Sequence, residues 1–115
     1  MGDKTISMQS TYEALDIIIR EKRDSYYVMR DLMTTYQFKV LTGVAKVAPL
    51  YNPTSAGFIQ KNDLRSGASV LKALQYLVDT DLVYADYDEQ GKLYYSMSDI
   101  FFMRWIQENY GSRQG

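Results

Sequence analysis

Residues 66–84 read SGASVLKALQYLVDTDLVY. The stretch opens on small polar residues, continues as an amphipathic segment and turns extended at DTDLVY. Ser66 is the natural helix N-cap, with Ser69 at the third helical position. Val70, Leu71, Leu74, Leu77 and Val78 fall in one helical stripe. Arg65, Ser69, Lys72, Tyr76 and Asp79 lie opposite, with Gln75 at the flank. Leu82 and Tyr84 then alternate with Val83 and Ala85, as in a half-buried strand. Whether this helix reads a partner or only walls a core depends on what surrounds it.

Upstream, SAGFIQKND is a short helix capped by Thr54 or Ser55, with Phe58 and Ile59 turned inward. The polar turn KNDLRSG joins it to the helix from Ser66. Before it, PLYNPTSAGF breaks the helical pattern with two prolines, and Asn52, preceding Pro53, is biased to extended geometry. Leu50 and Tyr51 are placed to add a short edge strand. TTYQFKVLTGVAKVA reads as helix, capped by Thr34 or Thr35, with Tyr36, Val40, Leu41, Val44 and Val47 on its buried face. Gly43 inside that helix costs ~1 kcal/mol against Ala, which a close helix–helix approach would explain. The first helical segment is STYEALDIIIREKRDSYYVMRDLM. Ser10 and Glu13 suggest a capping box, and Tyr12, Leu15, Ile18 and Ile19 share a face. The charged run Arg20–Asp24 is either a solvated face or a break between two helices. Tyr26, Tyr27, Val28, Met29, Leu32 and Met33 resume the apolar content.

Downstream, DLVYADYDEQGKLYYSMS is a β-hairpin. DEQGK supplies the turn, Gly91 takes positive φ, and Leu93–Met97 is the return strand. Ser98 or Asp99 caps a last helix, DIFFMRWIQENY. Its Phe101, Phe102, Trp105 and Ile106 sit at core spacing, and Trp105 is expected to be largely buried.

The chain has 115 residues, 46% hydrophobic and 23% charged, which suits one folded domain rather than a disordered segment. There is no Cys and no His. Disulfides, thiolate metal sites, the commonest zinc ligand and the commonest general base are thereby excluded. The lack of Cys fits a reducing compartment, and a cytoplasmic location is expected. No run is long enough to span a bilayer, and MGDKTISMQS lacks a signal-peptide core; Ile6 stands where a myristoylation signal has Ser or Thr. In DYDEQG, Gly91 is sixth from Asp86, as in a calcium loop, but the twelfth residue is Met97 rather than a bidentate Glu. No metal or cofactor site is expected.

The order of elements predicts a mainly α domain with a small β-hairpin, a winged helix-turn-helix. Residues 1–33 form an N-terminal helical segment, 34–110 the winged-helix domain and 111–115 a flexible tail.

Four words carry a family resemblance: TTYQFKVLTGVAK, NPTSAGFIQKNDL, SGASVLKALQYLVDTDLV and YYSMSDIFFMRWI. In this order they resemble the C-terminal winged-helix region of prokaryotic P-loop ATPases of the AAA/STAND type. The resemblance covers about residues 33–107. Met97 and Ile106 depart conservatively, from a β-branched residue and from Leu. The resemblance implies a piece of a larger ATPase, with residues 1–33 leading from an ATPase core. This chain has no G-x-x-x-x-G-K-[ST], so it is not expected to turn over ATP itself.

The candidate contact residues are Arg65, Ser69, Lys72, Gln75 and Tyr76. Arg and Gln can read base edges, and Ser and Lys can hold phosphate. Charge argues against DNA. From Lys61 to Lys92 there are four cations against six carboxylates, and three of those carboxylates lie in DYDEQGK, where a wing would meet a phosphate backbone. The expected role is therefore a non-catalytic module acting mainly through protein or interdomain contacts. Its partner would be the ATPase domain of the same polypeptide or another protein, with no membrane partner. The alternative is weak DNA binding, with helix 66–79 as recognition helix.

Overall fold

The computed structural model describes residues 8–111. The expectations for the first seven residues, and for the tail beyond Gly111, lie outside them. Among the described residues, five α-helices and one hairpin follow in order. They are α1 (Met8–Asp31), α2 (Thr35–Val47), α3 (Ala56–Lys61), α4 (Gly67–Asp79), β1 (Val83–Tyr87), β2 (Leu93–Met97) and α5 (Ile100–Ile106). The chain continues from α5 into a π-helical turn, Gln107–Gly111.

Local chemistry starts most of these helices. Thr34 caps α2 in a reciprocal box with Gln37. The Ser55 hydroxyl accepts from the Phe58 N–H, and Ser66 and Ser69 form the same box at α4. Asp99 caps α5, accepting from the N–H groups of Phe101 and Phe102. Ser10 is not a cap, because α1 is already helical at Met8. The charged run Arg20–Asp24 does not break α1; all five residues are exposed on a continuous helix of 24 residues.

Two helices of the helix-turn-helix stop by one device. After α3, Asp63 takes φ 56°, its N–H reaches Gln60 O, and the Leu64 N–H reaches Ile59 O at 2.8 Å. After α4, Asp81 takes φ 64°, its N–H reaches Val78 O, and the Leu82 N–H reaches Leu77 O at 2.9 Å. Each is a Schellman ending with Asp in the left-handed position, which short polar side chains tolerate. Leu64 is buried and Leu82 is partly buried against the core.

The hairpin pairs antiparallel, with Val83 opposite Met97 and Tyr87 opposite Leu93. Gly91 takes φ 81° in the turn. Leu50 bridges Tyr95 with two backbone hydrogen bonds, 2.8 and 2.9 Å, adding the edge expected from sequence. Tyr51 lies beyond the bridge. Val83, Met97 and Leu50 close one side of the core.

Val40, Leu41, Val44 and Ala45 of α2 meet Val70, Ala73, Leu74 and Leu77 of α4. The expected stripes are wider than the observed ones. Val47 is exposed because α2 ends there beside a surface cleft. Leu71 is 46% exposed, and the small Ala73 takes the buried position instead. Tyr12 of α1 also faces outward, under the Arg104 guanidinium. Gly43 does mark a close approach: a Cβ there would lie 2.8 Å from Phe58 Cζ and 2.9 Å from Asn62 Cγ.

Aromatic rings dock α1 on α5. Tyr26 stacks on Phe102 at 4.9 Å and tilts against Trp105 at 5.4 Å, and Tyr27 meets the Trp105 ring edge-on at 5.1 Å. Trp105 is buried, as expected. The Arg30 guanidinium donates to the Tyr110 hydroxyl at 2.8 Å, and the Gln107 amide donates to Ala45 O at 2.9 Å. The π-helical turn is thus tied to the ends of α1 and α2. The order and packing are those of a winged helix-turn-helix: α3 and α4 are the paired helices, and β1–β2 is the wing.

Two measurements test this packing. Gly43→Ala gains helix propensity of ~1 kcal/mol, but it forces Phe58 and Asn62 aside, and overpacking of this kind costs ~1–3 kcal/mol. A net loss in denaturant melts is expected; an unchanged or higher midpoint would contradict the close approach. Among the described residues, the buried Tyr26 hydroxyl has no hydrogen-bond partner. Burial, with the Asp99 charge adding, pushes its phenol up to about 12. The unfolded phenol ionises from ~10, so Tyr26 leaves stability independent of pH below pH 10 and makes it fall as pH rises from 10 toward 12, where only the unfolded chain readily releases the proton. Tyr26→Phe is expected to be neutral or stabilising by up to ~1 kcal/mol at pH 7. It should also flatten the alkaline decline; equal slopes for both proteins above pH 10 would refute the assignment.

Candidate functional site

The face that α4 presents begins with its cap. Arg65 precedes the helix, and its guanidinium lies 3.9 Å from the centroid of the Tyr36 ring. The same phenol oxygen accepts from the Arg65 N–H at 3.3 Å and shares a 2.6 Å hydrogen bond with Ser69 Oγ. Ser69 Oγ also accepts from the Ser66 N–H and donates to Ser66 O. Tyr36, on α2, therefore organises the start of α4. Sequence reasoning placed it only in the core; its hydroxyl at the first turn of α2 was the available signal.

The five candidate residues fall into different roles. Ser69 is spent on the cap and on Tyr36, and Tyr76 is half-buried against the core. Gln75 donates to Asp79 at 2.8 Å. Arg65 is exposed but stacked, and Lys72 is exposed. The surface that faces outward runs through Ala68, Leu71, Lys72, Gln75 and Asp79. Ala68 and Leu71 were missed because hydrophobicity alone assigned Leu71 to the core and gave Ala68 no role.

The wing beside it is acidic and aromatic. Val83 and Met97 point to the core, so alternation and register put Tyr84, Asp86, Tyr94 and Ser96 on the outer face. Tyr51 joins them across the Leu50 bridge. The rings form a row, with Tyr51 to Tyr94 at 5.8 Å and Tyr94 to Tyr84 at 6.2 Å. At the turn, Asp88 accepts from the N–H groups of Lys92 and Gln90, both at 2.9 Å. These bonds, the one from Lys92 foremost, and the neighbouring Tyr51 phenol hold its carboxyl below the usual range against a partial-burial effect. Partial burial raises the Tyr51 and Tyr94 phenols. The neighbouring Asp88 adds to the first, and Tyr84 and Asp86 add to the second.

Two further surfaces are present. The side of α1 away from α5 exposes Ile17, Val28 and Leu32. A cleft of about 760 Å³ opens between the end of α2, the Pro49–Asn52 loop and α3, lined by Lys46, Val47, Tyr51, Phe58, Lys61 and Asn62 among others. Among the described residues no group of three or more His, Cys, Asp or Glu side chains is placed to hold a metal ion. No helix among them is long and apolar enough to cross a membrane.

Comparison with curated proteins and with solved structures gives no match. The profile of one family, described as "Probable winged helix domain", matches residues 24–108. The match begins inside α1, at Asp24, and ends in the π-helical turn, so it takes in the helix-turn-helix, the wing and α5 together. By this match, and by the fold that carries it, the chain belongs to the family of probable winged helix domains.

Proposed function

We propose that this winged helix domain is a non-catalytic binding module that acts mainly through protein or interdomain contacts. The observation that carries the reading is the outward surface of α4. At its centre stands Leu71, an exposed apolar side chain flanked by Lys72, Gln75 and Asp79. A phosphate backbone gains little from such a residue. An apolar partner surface gains ~1–2 kcal/mol by burying it. The acidic wing supports the same choice, since phosphate neutralisation needs cations where Asp86, Asp88 and Glu89 stand.

The resemblance to AAA/STAND-type P-loop ATPases supports a finer reading. In it, the domain belongs to an ATPase polypeptide and responds to the nucleotide state of a separate P-loop domain. The outer side of α1, with Ile17, Val28 and Leu32 exposed, suits an interdomain contact of that kind. The alternative is DNA recognition by helix 66–79, favoured by the exposure of Arg65, Lys72 and Gln75.

Titration of labelled duplex DNA separates the readings. The expected result is weak, sequence-indifferent binding at low salt that disappears as salt is raised, because it rests on few phosphate contacts. Tight, sequence-selective binding that Lys72→Glu abolishes would overturn the protein-contact reading. The purified chain is also expected to show no ATP turnover, and hydrolysis above a buffer blank would refute the non-catalytic assignment.

A further inference from the structure

We propose that the outer face of the wing binds a cationic protein segment, seating arginine or lysine side chains on the row of Tyr51, Tyr94 and Tyr84. The proposal rests on the protein-contact reading above and names the surface and the partner's chemistry. Three strand-like segments bring the rings together: the Leu50 bridge, β2 and β1. Tyr51 and Tyr84 are exposed, and Tyr94 between them is half-buried. Neighbouring planes are inclined at 51° and 74°, so the row offers ring faces at differing angles rather than one closed stack. An aromatic face attracts a cation through its quadrupole, and several faces around one position add their attraction.

Charge selects the occupant. Asp86 lies directly across the ladder from Tyr94, and Asp88 is near enough to Tyr51 for each to shift the other's ionisation. The hairpin carries three carboxylates, Asp86, Asp88 and Glu89, against one cation, Lys92. Lys92 follows the turn, and its backbone N–H is engaged by Asp88. A guanidinium or ammonium on this face meets aromatic faces with carboxylates at their rim, whereas a phosphate meets repulsion. Tyr51 also borders the cleft that holds Lys46 and Lys61. Those cations repel a basic segment, and so confine it to the wing and bar it from the cleft. The ring row thus accounts for the acidic wing and for three of the chain's eleven tyrosines.

The test is a titration of the chain with fluorescein-labelled hexa-arginine, with hexaglutamate as the charge-reversed control and amide chemical-shift mapping of the contact. Hexa-arginine should bind, with the largest shifts at residues 51, 84–88 and 94, and hexaglutamate should not. Tyr84→Ala and Tyr94→Ala should each weaken binding about fivefold, and Tyr94→Phe should stay within about twofold because it keeps the ring. Asp86→Asn should weaken binding by a smaller factor. Tyr84 is exposed, so its replacement keeps the test valid should Tyr94→Ala disturb the hairpin. Wild-type affinity in both alanine variants, shifts confined to α4 or α1, or duplex DNA bound on these same residues would overturn the proposal. Absence of peptide binding together with weak DNA binding would remove this surface alone and leave the protein-contact reading standing. Tight, selective DNA binding would remove that reading too.

Discussion

The arrangement of the domain depends on how close α2 comes to the start of the helix-turn-helix. At Gly43 there is no room for a side-chain carbon between the α2 backbone and the Phe58 ring. The missing Cβ lets Phe58 lie against α2, and Asn62 sits beside it with its amide donating to Phe58 O. With α3 fixed there, Leu64 is buried and Ser66 arrives at α2 where Tyr36 can bind its capping partner Ser69. The placement of α4 thus follows from a glycine more than twenty residues earlier. The cost of Gly within a helix is ~1 kcal/mol, smaller than what burying one large aromatic returns.

A second layer is built from rings rather than aliphatic side chains. Tyr26, Phe102 and Trp105 pack mutually, and Tyr110 reaches Trp105, Phe38 and Arg30 from the π-helical turn. α1 is therefore held mainly by its C-terminal half. Ile19 is buried, but Ile17 and Tyr12 nearby are exposed. On α5, Arg104 adds a weak tie to Asp16, 3.8 Å away, and a closer one to Glu108 at 3.2 Å. Exposed pairs of this kind contribute little on their own, so the rings carry the docking.

Short-range signals were legible in the sequence and long-range ones were not. Thr34, Ser55, Ser66 and Asp99 announce their helices because a cap acts over three residues. Gly43 was legible as a point of close approach, though not its partner Phe58. Periodicity marks which side of a helix is apolar but not how wide the buried strip is, and so Leu71, Val47 and Tyr12 were set inside. Among the candidate contacts, Lys72 and Arg65 were found correctly on the surface by their charge. Ser69 was not recognised as spent, because its partner Tyr36 lies 33 residues away. The tyrosine row was hidden for a similar reason: three strand-like segments must fall into register before Tyr51, Tyr94 and Tyr84 become neighbours.

The paired aspartates at positive φ, Asp63 and Asp81, set where α3 and α4 stop and where the chain turns next. Each does so through backbone hydrogen bonds, with a leucine following it into or against the core. Neither ending draws on the outward side chains of α4. Geometry and surface are thereby written in separate letters. Ala68, Leu71, Lys72 and Gln75 can be replaced without touching the backbone bonds that set the angle at which they are displayed. A scaffold of this kind lets one fold change its partner without having to relearn how to fold.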